Sequence, residues 1–143
     1  MSNKPTITLS EPYPYLTPGN YVARCTAADF AWAIRWKKWI AKLDLEPQNY
    51  NGPRYPGKLC KFLGLGRNPG KPHAGPRTDF WQLWVEANGD QPLSLETSDL
   101  EIFVGKLYDI SVETVTKDRN GVSRLPVHHY SVVRSIHRHK GEL

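Results

Sequence analysis

The 143-residue chain is poor in sulfur, with two cysteines and one methionine. Cys25 and Cys60 sit inside short apolar runs, so they are expected as small reduced hydrophobes and not as a disulfide framework. No apolar run approaches the ~20 residues that cross a bilayer, and no charged segment followed by an apolar stretch opens the chain. A cytoplasmic protein without a membrane role is the expectation. Catalytic and metal signatures are missing as well. No Cys-x-x-Cys or His-Glu-x-x-His spacing accompanies the five histidines; His137 and His139 share a strand face, but in a basic segment they read as surface residues. Gly64-Leu65-Gly66-Arg67-Asn68-Pro69-Gly70 lacks the Gly-Lys-Ser/Thr ending of a phosphate loop. Neither an enzyme nor a bound cofactor or metal is expected.

What the chain does have is concentrated between Ala31 and Lys42. Three tryptophans (Trp32, Trp36, Trp39) and four cations (Arg35, Lys37, Lys38, Lys42) share those twelve residues. Every base offers a flat π-face and every linkage a negative phosphate, so aromatics interleaved with cations suit a protein that holds a single strand without reading its sequence.

The net charge of +5 is unevenly spread. Residues 24–77 carry eleven Lys/Arg against three Asp/Glu, residues 78–118 two against nine, and residues 119–143 five against one. Such blocks predict a basic face and an acidic back.

Residues 1–19, with Pro5, Pro12, Pro14 and Pro18, are expected as an extended arm, followed by one domain over 20–138 and a short tail at 139–143. Tyr21–Thr26 has strand composition, and Trp39, Ala41, Leu43 and Leu45 alternate with Lys38, Ile40, Lys42 and Asp44 as a second strand. Trp32, Trp36, Trp39, Ile40 and Leu43 also fall on a helical stripe, with Thr26 and Asp29 as a cap, so residues 27–43 admit a hairpin or a helix. A third strand is expected over Lys58–Leu65 and a helix from Thr78 to Gly89. A capping box at Ser98-Asp99-Leu100-Glu101 predicts a short second helix. Tyr108, Ile110 and Val112 mark a fourth strand, and Tyr130, Val132, Arg134 and Ile136 a fifth. The fold class is therefore mainly β with one or two short helices, in β-β-β-α-β-β order, consistent with a five-stranded OB-fold barrel.

Several segments add to this reading. Gly19-Asn20-Tyr21-Val22-Ala23, Gly57-Lys58-Leu59-Cys60-Lys61-Phe62, Phe80-Trp81 through Trp84 to Asn88-Gly89, Phe103-Val104-Gly105-Lys106-Leu107-Tyr108 and Tyr130-Ser131-Val132-Val133 occur in order along most of the chain. In these the chain resembles small OB-fold single-stranded DNA-binding proteins that accompany primases and helicases in phages and integrated mobile elements. The resemblance favours the hairpin over the helix at 27–43 and implies a role in replication or recombination. One departure is the basic ending His137-Arg138-His139-Lys140, where such proteins often carry an acidic partner-recruiting tail.

The expected partner is single-stranded DNA, with RNA as the alternative strand; association with further copies of the chain stays open. On a strand, Trp36 and Trp39 point to opposite faces. If Leu43 and Leu45 are inside, Trp39 joins them and Trp36 is the stacking candidate, with Lys38 and Lys42 on its side for phosphates and Arg35 and Lys37 beside it. Tyr55 and Phe62 are second platforms with Lys61 next to them, although Phe62 suits the core better than the surface. Arg67 in the glycine-rich loop and Lys117, Arg119 and Arg124 in the fourth-to-fifth-strand loop complete the set. Trp81 and Trp84 are assigned to packing by the helix. The rival expectation is a protein-binding inhibitor or adaptor of a mobile element that uses the acidic block.

Overall fold

The computed structural model describes residues 4–9, 15–48, 59–89, 100–125 and 129–140. Tyr55, His128 and the Ser98-Asp99 half of the capping box lie outside them. Five strands form one antiparallel sheet: β1 (Gly19–Ala33), β2 (Lys38–Pro47), β3 (Leu59–Gly64), β4 (Leu107–Val115) and β5 (Tyr130–Arg138), in the order β3-β2-β1-β4-β5. Residues 27–43 are a hairpin, not a helix: Trp32 pairs with Trp39 and Ala28 with Leu43 across the β1–β2 ladder. β1 is longer than its composition suggests. The alanines at 27, 28, 31 and 33 are weak strand formers, and β2 holds them extended by pairing opposite them.

Two register shifts reset which side chains face inward. Between Cys25 and Ala27, β1 advances two residues while β2 advances one, so Thr26 is a bulge. Ala23 and Cys25 are fully buried before it, and Ala28 and Phe30 pack on the core after it. On β5, Ser135 pairs with Ser111 but Val133 with Val112, which leaves Arg134 as the extra residue. The strand therefore buries Ser131, Val133 and Ile136, in place of the uninterrupted Val132, Arg134, Ile136 alternation expected.

A helix, α1 (Asp79–Ala87), starts where Thr78 Oγ1 accepts from the Trp81 amide at 3.3 Å and stops at Asn88, with Gly89 left-handed at φ +69°. Its buried face is Phe80, Leu83, Trp84 and Ala87. That face meets Phe103 of a single 3-10 turn (Glu101–Phe103), with Phe80 and Trp84 ring centroids 5.6 and 5.7 Å from it. Tyr108 is fully buried and its hydroxyl donates to Phe103 O at 3.0 Å. Leu16, near the end of the expected arm, is also in the core. Ser131 Oγ clamps it by accepting from its amide at 2.6 Å and donating to its carbonyl at 3.1 Å.

The two outer strands of the sheet approach each other. Lys61 Nζ on β3 donates to the carbonyls of Val133 (3.3 Å) and Arg134 (3.2 Å) on β5. Cys25 and Cys60 form no disulfide. Cys25 is core, whereas Cys60 is half-buried and faces outward beside Asp44, 3.5 Å from its Oδ1. Among the described residues, no helix is long and apolar enough to cross a membrane.

Candidate functional site

The β1–β2 connection is a turn of Ile34, Arg35, Trp36 and Lys37. The Trp36 amide donates to Ala33 O at 3.1 Å and the Lys37 amide to Ile34 O at 3.3 Å. Lys37 closes the turn at φ +52°, a left-handed conformation that costs a side-chain-bearing residue about 1 kcal/mol. Trp36 therefore belongs to the turn and not to a strand, and it leans over the outward face of β2, where Lys38, Ile40 and Lys42 alternate.

Phe62 reaches the same face from β3, where it pairs with Lys42. The two rings meet edge to face with centroids 6.2 Å apart, and the residues are 49 % and 51 % exposed. Together with Lys38, Ile40 and Arg67 they line an open cleft of about 340 Å³. Ile40, only 8 % exposed, is its floor. The cross-strand neighbours of Ile40 are Ala31 and Gly64, so no large side chain fills the space beside it. A Cβ at Gly64 would meet nothing within 4 Å, so the fold does not require this glycine for packing.

Phe62 and Lys61 exchange the places that strand composition suggested. Leu59 and Leu63 fix the inward side of β3, and the period of two then puts Phe62 outside and Lys61 inside at the β5 seam. Arg67 is held at the rim by a loop tied to Trp39. The Trp39 amide donates to Gly66 O (2.8 Å), its indole Nε1 to Asn68 O (2.9 Å), and the Leu65 amide back to Trp39 O (2.9 Å). Trp39 itself packs against Phe30 and Trp32 at 6.1 and 5.8 Å, on the side opposite the cleft.

No protein-family model matches the chain, and no curated protein matches it in sequence.

Of the cations singled out from sequence, Lys38 and Arg67 line the cleft, and Arg35 and Lys37 stand exposed in the adjoining turn. None of these four forms an ion pair among the described residues. Lys42 is different: its Nζ lies 3.7 Å from Asp44 Oδ1, and Asp29 faces it across the ladder, so its charge is partly matched. Lys117, Arg119 and Arg124 lie elsewhere. The β1–β4 register pairs Gly19 with Val112, so the β4–β5 connection follows the beginning of β1, not the Ala33 end that carries the turn. There Lys117 bridges Ser123, and Arg124 covers the Tyr130 ring at 5.3 Å while its Nε donates to Lys117 O.

The acidic block does not form a separate back. Glu113 binds Arg134 Nε at 2.7 Å, Glu86 lies 3.3 Å from His137 Nδ1, and Asp109 lies 2.7 Å from His139 Nδ1. The C-terminal basic block thus interleaves with it. His137 and His139 face different carboxylates, and no group of three His, Cys, Asp or Glu side chains is arranged to hold a metal among the described residues. Sequence reasoning missed Ile40, Gly64 and Asn68; the one available signal was an isolated glycine ending an alternating strand, which marks open backbone.

Proposed function

We propose that the protein binds single-stranded DNA without sequence preference, through the cleft between Trp36 and Phe62. The observation that carries this reading is a half-exposed aromatic pair, 6.2 Å between centroids, flanked by Lys38 and Arg67 with no carboxylate partner among the described residues. Water tolerates exposed rings poorly, so a cluster of them marks a surface that something covers. Bases stack on the open ring faces at about 1–3 kcal/mol each, and the cations meet the phosphates that follow.

The strand order, with β3 and β5 brought together at Lys61, supports a sheet closed as an OB-type barrel with α1 at one end. In such a barrel the outward face of β2 and β3 is the groove that carries the strand. A replication or recombination role in a phage or mobile element, in the cytoplasm, rests on the resemblance in the strand-opening segments. The protein acts by binding and not by catalysis.

Fluorescence anisotropy of labelled oligo-dT tests the reading. The full chain binds in low salt and releases as salt rises, and a duplex of equal length competes weakly. Equal competition by duplex, or no binding, refutes it. Competition between DNA and RNA strands of one sequence then decides which backbone is preferred, since stacking and phosphate contacts do not report the 2′-hydroxyl. The rival of a protein adaptor is favoured by the exposure of Ile34 (81 %) at the same turn. It predicts a cleft insensitive to oligonucleotide.

A further inference from the structure

A second cleft, of about 530 Å³, opens where the C-terminal end of α1 meets the start of β4 and the end of β5. Its charged and titratable lining is Arg24, Glu86, Lys106, Arg138, His139 and Lys140. These residues are up to 116 positions apart in the chain, and the sheet assembles them: Arg24 pairs with Leu107, next to Lys106, and Arg138 with Tyr108.

Three of these cations, Arg24, Lys106 and Arg138, are fixed by backbone carbonyls. Arg24 Nη1 donates to Gly105 O at 3.1 Å, Arg138 Nη1 to Leu107 O and His139 O at 2.8 Å each, and Lys106 Nζ to Ile102 O. Arg24, Lys106 and Arg138 form no ion pair among the described residues. Each guanidinium has five donors in a rigid fork, so anchoring through Nη1 leaves others to meet a ligand. Burial chiefly, and the nearby Arg138 charge to a lesser degree, hold Lys106 below the usual lysine range. Glu86 accepts from the Arg138 amide at 3.3 Å, and the end of α1 contributes roughly half a negative charge. Together these offset about half of the three full positive charges. No second carboxylate among the described residues lines the cleft to offset the remainder.

Two glycines keep the mouth of this cleft open. Gly89 and Gly105 are left-handed at φ +69° and +81°, and a Cβ at either would meet nothing within 4 Å.

From this arrangement we infer that the α1–β4–β5 cleft is a phosphate-binding site separate from the Trp36–Phe62 cleft. Fixed, forked donors around uncompensated positive charge are what a phosphate group needs for charge-assisted hydrogen bonds. The phosphate comes either from the backbone of a bound strand or from a small phosphate compound, and the site does not depend on the function proposed above.

The test is nuclear magnetic resonance of the full chain, reading the Arg24 and Arg138 Nε–H, the Gly89 and Gly105 amides and, as a separate reporter, the Trp36 indole N–H. Titration with inorganic pyrophosphate is expected to move the first four signals saturably, with half-saturation at about 1 mM or below, and to leave Trp36 still. Oligo-dT that moves both groups identifies the strand's phosphates as the source. Oligo-dT that leaves the arginine signals still, where pyrophosphate moves them, identifies a small phosphate compound.

The paired substitution Arg24→Gln with Lys106→Gln should weaken pyrophosphate about tenfold. Glu86→Gln keeps the acceptor for the Arg138 amide while removing the carboxylate that lines the cleft, and should tighten pyrophosphate about fivefold. The tightening separates an anion site from cations that only brace the fold. Arginine and glycine signals unmoved by pyrophosphate, or shifts that grow without saturating and ignore Glu86→Gln, overturn the proposal whatever happens at Trp36. Movement of Trp36 alone leaves single-strand binding standing without this site, and movement of the arginines alone does the reverse.

Discussion

Trp84–Phe103 and Trp36–Phe62 are nearly the same object in two settings. Both pairs meet edge to face, at 5.7 Å and 84° in the first and 6.2 Å and 73° in the second. Trp84 and Phe103 are only 7 % and 0 % exposed, Trp84 on the buried face of α1 and Phe103 with its carbonyl accepting from the Tyr108 hydroxyl, whereas Trp36 and Phe62 stand half in water beside cations that form no ion pair among the described residues. Aromatic content therefore does not distinguish packing from recognition here. What distinguishes them is what surrounds each ring: leucines and a helix in one case, Lys38, Arg67 and open backbone in the other.

Truncation of the buried pair has the largest expected effect. Phe103→Ala should lower unfolding free energy by about 3–5 kcal/mol in urea titration, because the cavity sits between α1 and the sheet. The folded fraction should still bind oligo-dT with unchanged affinity. Alkaline pH loosens the same buried region. Burial pushes the Cys25 thiol from 9.0 up to about 11 and raises the Tyr108 hydroxyl as well. The unfolded chain releases these protons first, so the Cys25 stabilisation is complete below pH 9 and is lost as pH rises toward 11, at up to about 1.4 kcal/mol per pH unit, whereas the Tyr108 contribution begins to fall only above pH 10. Urea midpoints at pH 8 and pH 10 measure the fall, and Cys25→Ala should flatten it. A midpoint independent of pH across that window contradicts the burial of the thiol.

Truncation of the exposed pair reverses the pattern. Trp36→Ala should cost about 1–3 kcal/mol in oligo-dT affinity at every salt concentration while leaving the urea midpoint nearly unchanged. Gly64→Leu sharpens the point without touching an aromatic ring. It places a side chain beside Ile40 in open space, so binding should fall while the fold persists. Lys38→Gln and Arg67→Gln should each reduce the slope of log affinity against log salt by about 0.7, and Lys42→Gln by less because Asp44 already matches part of its charge. The smallest effect belongs to the solvent-exposed Arg134–Glu113 pair. Its removal should change stability by less than about 1 kcal/mol.

Much of the architecture was legible in the residues. The helix limits followed from Thr78 and Gly89, and the order of five strands followed from alternation. Two bulges were not legible, because Thr26 and Arg134 carry no signature of an extra residue and only pairing across the ladder reveals them. Of the site, the turn cations, Trp36 and Arg67 were read from local pattern. Phe62 was singled out as a platform although its composition favoured the core, and Lys61 was placed on the surface beside it, because an aromatic looks like core and a lysine like surface, while the pleat is set by Leu59 and Leu63. The separate acidic face disappeared for a related reason. Neighbours in sequence sit on opposite sides of a strand, and β5 brings its histidines and arginine against the carboxylates of β4 and α1.

The most direct test follows the indole N–H signals of Trp36 and Trp84 as oligo-dT is added to the full chain in low salt. A large saturable shift at Trp36 that salt reverses is expected, together with a silent Trp84. Saturable binding that leaves Trp36 unmoved would place the strand elsewhere on the molecule and contradict the assignment of the hairpin cleft.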